Sequence, residues 1–404
     1  MNRWINIACV WIPIPSIRRR FRVALYHRWF NRQNNPNVLL NNNTDKKPYI
    51  LWFDHALGGG TETYSKRQFN KLQNKFEILR IQYRPRNKRF HITRVQNKNH
   101  LYTTAQATDI QQFAHQINID KIVVNNLVGY PNALDILHII KNIAATQYIR
   151  PHISVRGHDF QSICPSFNLI NCDGAYCKLN YKTGCENCWK RKIMATNPTA
   201  NATLKSGATS IKIWQQNWRN FLEQSADEIV VFSDAIKDIF VTAYPNIKNK
   251  IVVIPHETQN LRHVKIPKHK KINLAVLGNI SWQKGANVIR EMAQHIDKNI
   301  NIIIIGNMRP APKNIRIYGR YKTDDLPRIM EKQKIDAVFI PSVWPETFSY
   351  TTSEAMSMGL PVICFDMGAP AERVKHYAKG LVLKTINPPE NLNEIIEFIA
   401  RQKL

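Results

Sequence analysis

From Pro48 onward the chain alternates short β-branched runs with segments of helical spacing, and it does so in two separate series. "PYILWFD" (48–54) leads into "HALGGGTETYSKRQFNKL", a strand followed by three glycines and a helical pattern. Further strands are expected at Phe76–Tyr83, Ile122–Asn126, His152–Arg156, Glu228–Phe232 and Ile251–Pro255, with helices near 108–117, 132–146, 208–224 and 234–243. A lysine-rich connector, "HVKIPKHKK" (263–271), interrupts the series, and the alternation then starts afresh. Strands fall at Ile272–Leu277, Ile300–Ile305, Ile315–Tyr318, Ala337–Pro341, Val362–Phe365 and Leu381–Leu383, with helices near 286–297, 324–333, 349–358 and 390–402. Short apolar strands separated by helices imply parallel sheets covered on both faces. The expectation is an α/β chain of two Rossmann-like domains facing across a cleft, 49–262 and 272–404, preceded by a basic, aromatic segment at 1–48.

At 404 residues the chain exceeds what one core ordinarily holds, in keeping with two domains. Hydrophobic residues at 44% and charged residues at 21% exclude a disordered chain. The longest apolar runs, such as Ile302–Ile305 and Ile251–Ile254, fall far short of the roughly 18 residues that span a bilayer. No internal repeat of solenoid period is present.

The start, "MNRWINIACVWIPIPSIRRRFR", holds Pro13 and Pro15 within its apolar stretch, and its arginines follow that stretch, the reverse of an export signal. A cytoplasmic protein is expected, with cysteines as reduced thiols or metal ligands. The net charge of +28 calls for an anionic partner. Arg18, Arg19, Arg20, Arg22, Arg28 and Arg32 are interleaved with Trp4, Trp11, Phe21, Tyr26, Trp29 and Phe30, a pairing that suits a segment lying on anionic lipid headgroups. A basic tail with no specific partner is the plain alternative. Nucleic acid is not expected, because the chain holds no RNP-type aromatic motif, KH loop or zinc-finger histidine pair.

"PETFSYTTSEAMSMGLPV" (345–362) places Glu346 and Glu354 on either side of a run of small hydroxylated residues. If Ser349 caps a helix running to Met358, Glu346 lies in the loop before it and Glu354 about 7 Å further along the axis. The N–H groups of Thr347, Phe348 and Ser349 are then free to hold an anion such as a phosphate. A nucleotide-sugar fits this arrangement: one carboxylate on the sugar hydroxyls, the other on the ribose, the helix terminus on the diphosphate. Taken alone, each glutamate would read as a solvated surface acid. In "VLGNISWQKGANVIREM" (276–292), however, Lys284 sits at a strand-to-helix turn with Gly285 allowing close approach. A lysine there supplies positive charge to a diphosphate leaving group, a role that other enzymes give to a divalent metal, so no catalytic metal is required.

These residues resemble glycosyltransferase family 4, retaining enzymes of the GT-B fold. "LGNISWQKG", "YGRYKTDDLPRIM" and "PSVWPETFSYTTSEAMSMGLPVICFDMGAPAER" are similar to its donor domain, and Glu346 to Glu354 matches its E-x7-E element. "GGGTE" (58–62) looks like its N-terminal glycine loop, and the resemblance covers most of 49–385. It implies a nucleotide-sugar donor, with Glu346 near the reacting carbon of the sugar and Glu354 on the ribose. Lys284 and the amides of Thr347, Phe348 and Ser349 would hold the diphosphate, with Gly58, Gly59 and Gly60 approaching from the other domain. His158, in "RGHDF", matches a histidine facing donor sugar and acceptor. Asn279 stands in the donor site where many members carry an arginine, and Arg320 or Arg373 would supply the missing charge. "VWIPIPSIRRRFR" resembles the lead of Gram-negative transferases that build lipopolysaccharide or capsule, which implies a lipid-linked or glycan acceptor met at the inner face of the cytoplasmic membrane. Two other classes stay open: a non-catalytic glycan-binding relative and a nucleic-acid-binding protein.

Five of the seven cysteines crowd into "CPSFNLINCDGAYCKLNYKTGCENC", within an insertion at about 160–207. Cys185 and Cys188 have metal-knuckle spacing, and Cys164 and Cys177 can complete four sulfurs around a structural zinc, leaving Cys172 outside. Relatives with "HDF…CP…GxYC…CxxC" look similar. Thiols packed without metal are the alternative.

Overall fold

A computed structural model describes residues 47–96, 100–179, 184–190 and 208–402. The basic lead at 1–46, with its arginine cluster, and residues 191–207 of the cysteine-rich insertion lie outside the described residues.

The first series forms an eight-stranded sheet in the order β4-β3-β2-β1-β5-β6-β7-β8. Its strands are β1 Tyr49–Phe53, β2 Glu77–Arg84, β3 Arg89–Arg94, β4 His100–Thr104, β5 Ile119–Val124, β6 His152–Arg156, β7 Glu228–Val231 and β8 Ile251–Val253. Its helices are α1 Gly60–Leu72, α2 Thr108–Ala114, α3 Ala133–Thr146, α4 Gly184–Lys190, α5 Ile211–Asn220 and α6 Asp234–Ala243. Asn132, Ser210 and Ser233 cap α3, α5 and α6 through side-chain oxygens, which explains where these helices start. The sheet is parallel except at one edge, where β2, β3 and β4 pair antiparallel. The alternation pattern leads one to expect parallel strands only. The β2–β3 connection is four residues, Pro85 to Lys88, too short for a crossover helix, so the chain can only fold back as a hairpin.

The second series forms a six-stranded sheet in the order β11-β10-β9-β12-β13-β14, parallel throughout. Its strands are β9 Ile272–Ile280, β10 Ile300–Met308, β11 Arg316–Ile317, β12 Ala337–Ile340, β13 Val362–Phe365 and β14 Gly380–Leu383. Helices α7 Ala286–Met292, α8 Leu326–Gln333, α9 Tyr350–Ser357, α10 Gly368–Val374 and α11 Pro388–Gln402 complete it. β9 and β10 pair in register over nine residues, and Ile302, Ile303, Ile304 and Ile305 are buried on both faces of the sheet. Each such side chain contributes roughly 1.5–3 kcal/mol of burial free energy, which makes this pair the spine of the second core.

The two sheets are held against each other by specific contacts. The Ala235 N–H at the start of α6 donates to Glu372 Oε2 of α10 at 2.6 Å. Between the sheets, the connector straps along the second one: Val264 N–H donates to Met358 O at 3.0 Å, and Arg262 grips Glu331 with two 2.7 Å bonds.

Candidate active site

In each sheet the strand order reverses beside the first strand of its series, between β1 and β5 and between β9 and β12. Loops leaving the C-terminal ends of strands at such a switch point diverge and open a crevice. The loop after β9 carries Lys284, and the loop after β12 carries Glu346. Gly285 makes their approach possible: a Cβ there would lie 2.0 Å from the Pro341 carbonyl oxygen, and its φ of +81° favours glycine.

The Lys284 ammonium lies 3.4 and 3.5 Å from the two oxygens of Glu346, and the Ser342 hydroxyl donates to the same carboxylate. The Lys284 side chain is 35% exposed and that of Glu346 6%, so the desolvation cost falls on the acid. Burial pushes the Glu346 carboxyl up, but the Lys284 charge and hydrogen bonds from Ser342 and Ser349 more than offset it and hold it below the usual range. Glu346 is therefore ionised, with a cation beside it in a crevice.

The expected helix over 349–358 is α9, Tyr350–Ser357, with Ser349 and Met358 at its cap positions. The Ser349 side chain does not cap it; instead the residue adopts a φ of 68°, a left-handed backbone that costs a non-glycine residue about 1–2 kcal/mol. Arg373 holds that conformation. Its guanidinium donates to Phe348 O, to Ser353 Oγ and, at 3.1 Å, to Ser349 O, and it lies 4.5 Å over the Phe348 ring. Arg373 is thus bonded to carbonyls of the Glu346 loop. Burial lowers its pKa to about 10, still well above neutrality. Arg320 is exposed, and Thr323, three residues on, lies beside Glu354; Asn279 is exposed at the end of β9. Among the described residues, the N–H groups of Thr347, Phe348 and Ser349 donate to no acceptor, as anion binding at a helix start requires.

Glu354, on α9, accepts from Thr323 Oγ1 at 3.5 Å through one oxygen, while its Oε2 is buried without a partner. Burial pushes this carboxyl above the usual range, and Thr323 and the Arg67 charge reverse only part of that. An orphaned buried acceptor is costly unless a ligand hydroxyl completes it.

The opposite wall comes from the first sheet. Gly58 and Gly59 have positive φ and no protein atom where a Cβ would stand, so both face open space. A Cβ on Gly60 would stand 3.3 Å from the Tyr350 ring, which sets the N-termini of α1 and α9 against each other. Both present positive dipole ends to the same place. His158 joins the two walls, since its carbonyl accepts from Thr347 Oγ1 at 2.9 Å. Its ring packs edge-on to Tyr64 with centroids 4.8 Å apart, and Nε2 lies 3.0 Å from Asn125 Oδ1. Burial, then the charges of His256, His55 and Arg156, holds its pKa well below the ordinary histidine value.

Several residues of this wall carry no sequence motif. Asn125 Nδ2 donates to Asp54 Oδ1 at 3.0 Å and to Ser65 Oγ at 3.1 Å, and Arg80 pairs with Asp54 at 2.6 Å. This buried network orients His158 through residues of the loop after β1, of α1 and β2, and of the loop after β5. His256, just after β8, stacks between Tyr64 at 4.8 Å and Phe348 at 4.6 Å, so it bridges the two sheets. Arg67 of α1 lies 5.5 Å from the Tyr350 ring centre and donates to Glu257 O. The nearest sequence signal for these was position, just after a predicted strand or glycine loop.

Six of the cysteines lie among the described residues, five of them in the insertion. The Cys172 N–H donates to Cys188 Sγ at 3.3 Å, and Cys164 Sγ lies 3.2 Å from Ser166 Oγ. Burial raises the thiols of Cys164, to about 12, and of Cys177 and Cys185. Among the described residues no three His, Cys, Asp or Glu side chains gather closely enough to hold a metal, and Cys172 sits beside Cys188.

Two parallel-sheet units with facing crevices and opposed glycine-loop and E-x7-E helices define the GT-B architecture, and comparison with solved structures agrees. The chain aligns with HepE of Anabaena, in complex with UDP and glucose, at a TM-score of 0.55 and 14% identity, covering 88% of this chain and 90% of that one. The lipopolysaccharide outer core galactosyltransferase WaaB aligns at 0.56 and 13% identity, covering 88% and 91%. Residues 257–404 match the family model described as "Glycosyl transferases group 1". Among curated proteins, sucrose synthase isoform 2 of Daucus carota is 25% identical over 267 residues, 64% of this chain and 29% of that protein. The chain thus spans less than a third of that relative's length. The second unit thus matches the model of a group 1 glycosyl transferase domain, and the whole chain has the GT-B fold.

Proposed function

We propose that the protein transfers a sugar from a nucleotide diphosphate-sugar to an acceptor hydroxyl, with retention at the anomeric carbon. The observation that carries this reading is the pairing of two opposed helix N-termini with the Lys284–Glu346 pair at one side and the orphaned Glu354 oxygen at the other. The diphosphate lies between the helix starts, where the amides after Glu346 and the Lys284 ammonium meet its charge as the bond to the sugar breaks. Glu346 accepts from hydroxyls of the sugar, and Glu354 from the ribose. The acceptor hydroxyl attacks from the leaving-group face and passes its proton to the departing phosphate, so the protein positions and stabilises charge rather than acting as a strong base. His158 lines the sugar side as a neutral imidazole.

The donor is tested by thermal shift and hydrolysis across UDP-, GDP-, dTDP- and ADP-sugars, with UDP-glucose as the first choice because HepE has been solved with it. Stabilisation by one donor class supports the reading; no response to any overturns it. NMR of the product's anomeric proton reads retention directly. Replacing Glu354 by Ala is expected to raise donor KM about tenfold to a hundredfold, the loss of a charge-assisted hydrogen bond, with a smaller change in kcat. An unchanged KM would remove Glu354 from the ribose.

His158 is held neutral by burial, so acidification should reach well below pH 6.5 before it takes a proton, and no ordinary histidine inflection is expected in kcat/KM. Asp159 is different: burial raises it to about 6 despite hydrogen bonds from Gln161 and Asn126. An acid limb near pH 6 is therefore expected to disappear in Asp159→Asn; a limb that persists in that variant assigns it elsewhere.

A glycan or lipid-linked acceptor of lipopolysaccharide or capsule type, met by the arginine-rich lead at the inner membrane face, completes the proposal. WaaB is a lipopolysaccharide transferase of the same fold, and the lead has the composition of a headgroup-binding segment. Structural zinc rests on cysteine spacing alone, and metal analysis of protein purified without added metal decides it: about one zinc per chain supports it, and a value near zero removes it.

A further inference from the structure

The lysine-rich connector ends at the base of the second sheet, far from Lys284 and Glu346. There Lys270 and Lys271 meet Arg316 of β11 and Lys332 and Lys334 at the end of α8 around a cavity of about 310 Å³. Its remaining lining is His269 and the amides Asn273, Asn301 and Gln333, with no carboxylate. The nearby acids are already engaged. Asp336 accepts from the Asn273 N–H at 2.8 Å and lies 3.0 Å from His269 Nε2, and Glu331 is held by Arg262. Among the described residues none of these four lysines, nor Arg316, makes an ion pair. Five unpaired cations around one concavity repel one another, and an anion placed there relieves that repulsion.

His269 also lines a second cavity, of about 510 Å³, walled by Val264, Ile266 and Pro267 of the connector, with Ile335, Leu360 and Ile399 beneath and Lys268, Asp336, Lys379 and Gln402 among its polar lining. Ile335, Leu360 and Ile399 are buried core side chains, at 0%, 2% and 1% exposure, so the apolar surface open to a ligand comes from the half-buried Val264 and Ile266 and the exposed Pro267. A cationic chamber opening beside an apolar groove is complementary to a molecule with an anionic head and a hydrocarbon tail. Both lie at the N-terminal ends of β9 and β12, and at about 3.3 Å per residue β9 alone sets the cationic chamber roughly 25 Å from the donor loops.

We propose that this surface binds anionic phospholipid, the phosphate headgroup in the lysine-lined cavity and the upper acyl chain along the connector groove. A free phosphate would fill the cavity but leave the groove unused, which favours the lipid. The site lies on the second domain and gives the chain a point of attachment encoded separately from the arginine-rich lead. Each cation near an anionic surface strengthens binding about fivefold.

The test uses the full chain with vesicles of phosphatidylglycerol in phosphatidylcholine, phosphatidylcholine vesicles alone, and inorganic phosphate. Binding to the anionic vesicles at low salt is expected to weaken more than tenfold in Lys270→Glu/Lys271→Glu/Lys332→Glu, with the donor-dependent thermal shift unchanged. Arg316→Glu/Lys332→Glu, carried on other elements, should lose binding in the same direction. Ile266→Asp should weaken vesicle binding without changing the response to phosphate. Equal vesicle affinity in wild type and both charge variants overturns the proposal, because other charge then carries the binding. Phosphate binding that is lost in the variants while vesicle binding is not makes this a soluble-anion site and overturns it equally.

Discussion

Replacing Lys284 by Ala is expected to lower nucleotide-sugar turnover by two to three orders of magnitude. Removing one preorganised charge donor from a transition state in a water-poor site costs about that much, roughly 3–4 kcal/mol. The effect should lie in kcat more than in donor KM, because charge on the diphosphate oxygen grows only as the sugar bond breaks. The substitution also alters Glu346. With Lys284 gone, burial has less to oppose it and the carboxyl pKa rises. The sign follows from linkage. In the wild type the depressed pKa contributes stability above the unfolded value near 4.5, lost as pH falls through the lower folded value. In the variant the buried carboxylate is a burden at neutral pH that protonation relieves. The stability gap between the two proteins should therefore be widest at pH 7 and narrow below about pH 5. Lys284→Met/Glu346→Gln removes charge from both partners and should recover most of the stability with none of the turnover. Near-normal turnover in Lys284→Ala would dismiss the assigned site, whatever its stability.

Gly285→Ala is expected to destabilise the protein by about 2–5 kcal/mol, combining a left-handed backbone penalty with overpacking. The added methyl would meet the Pro341 carbonyl oxygen at 2.0 Å and the Pro341 Cβ at 2.6 Å, neither of which is the end of a flexible side chain. Relief requires the loops after β9 and β12 to separate, which draws the Lys284 ammonium off Glu346. Turnover should fall at least tenfold even where the variant is fully folded. Gly129→Ala, at a glycine not assigned to the donor site, is the informative control, since its φ is +87° but nothing stands within 4 Å. It carries the backbone penalty without the collision. Chemical denaturation with activity measured at matched folded fraction separates these two effects; equal losses in both variants would show that backbone conformation alone matters.

Much of the architecture was legible because most strands are short β-branched runs and helices such as α3, α5 and α6 begin at a polar side-chain cap. His152–Arg156, Val362–Phe365 and the helix over 234–243 fall where periodicity places them. The hairpin Arg89–Arg94 and His100–Thr104 did not read as strands, since charged residues flank it on an edge where pairing, not burial of both faces, defines it. In the candidate site, Glu346, Lys284 and Glu354 stood out because spacing about a predicted helix start carries chemical meaning. The contacts of Arg373 were not legible for the opposite reason: a guanidinium on α10 is equally suited to a phosphate or to loop carbonyls, and only the fold brings Phe348 and Ser349 to it.

Local sequence determined the two α/β series, the glycine loops and the acids and base at their helix starts, because hydrophobic period and capping act within a few residues. Tertiary structure alone decided that the two helix N-termini face each other, that Asn125, Asp54 and Ser65 orient His158, and that the connector lysines share a cavity with Arg316. Those contacts join residues far apart in the chain, and no local rule encodes a distance that exists only after both sheets have closed on their cores.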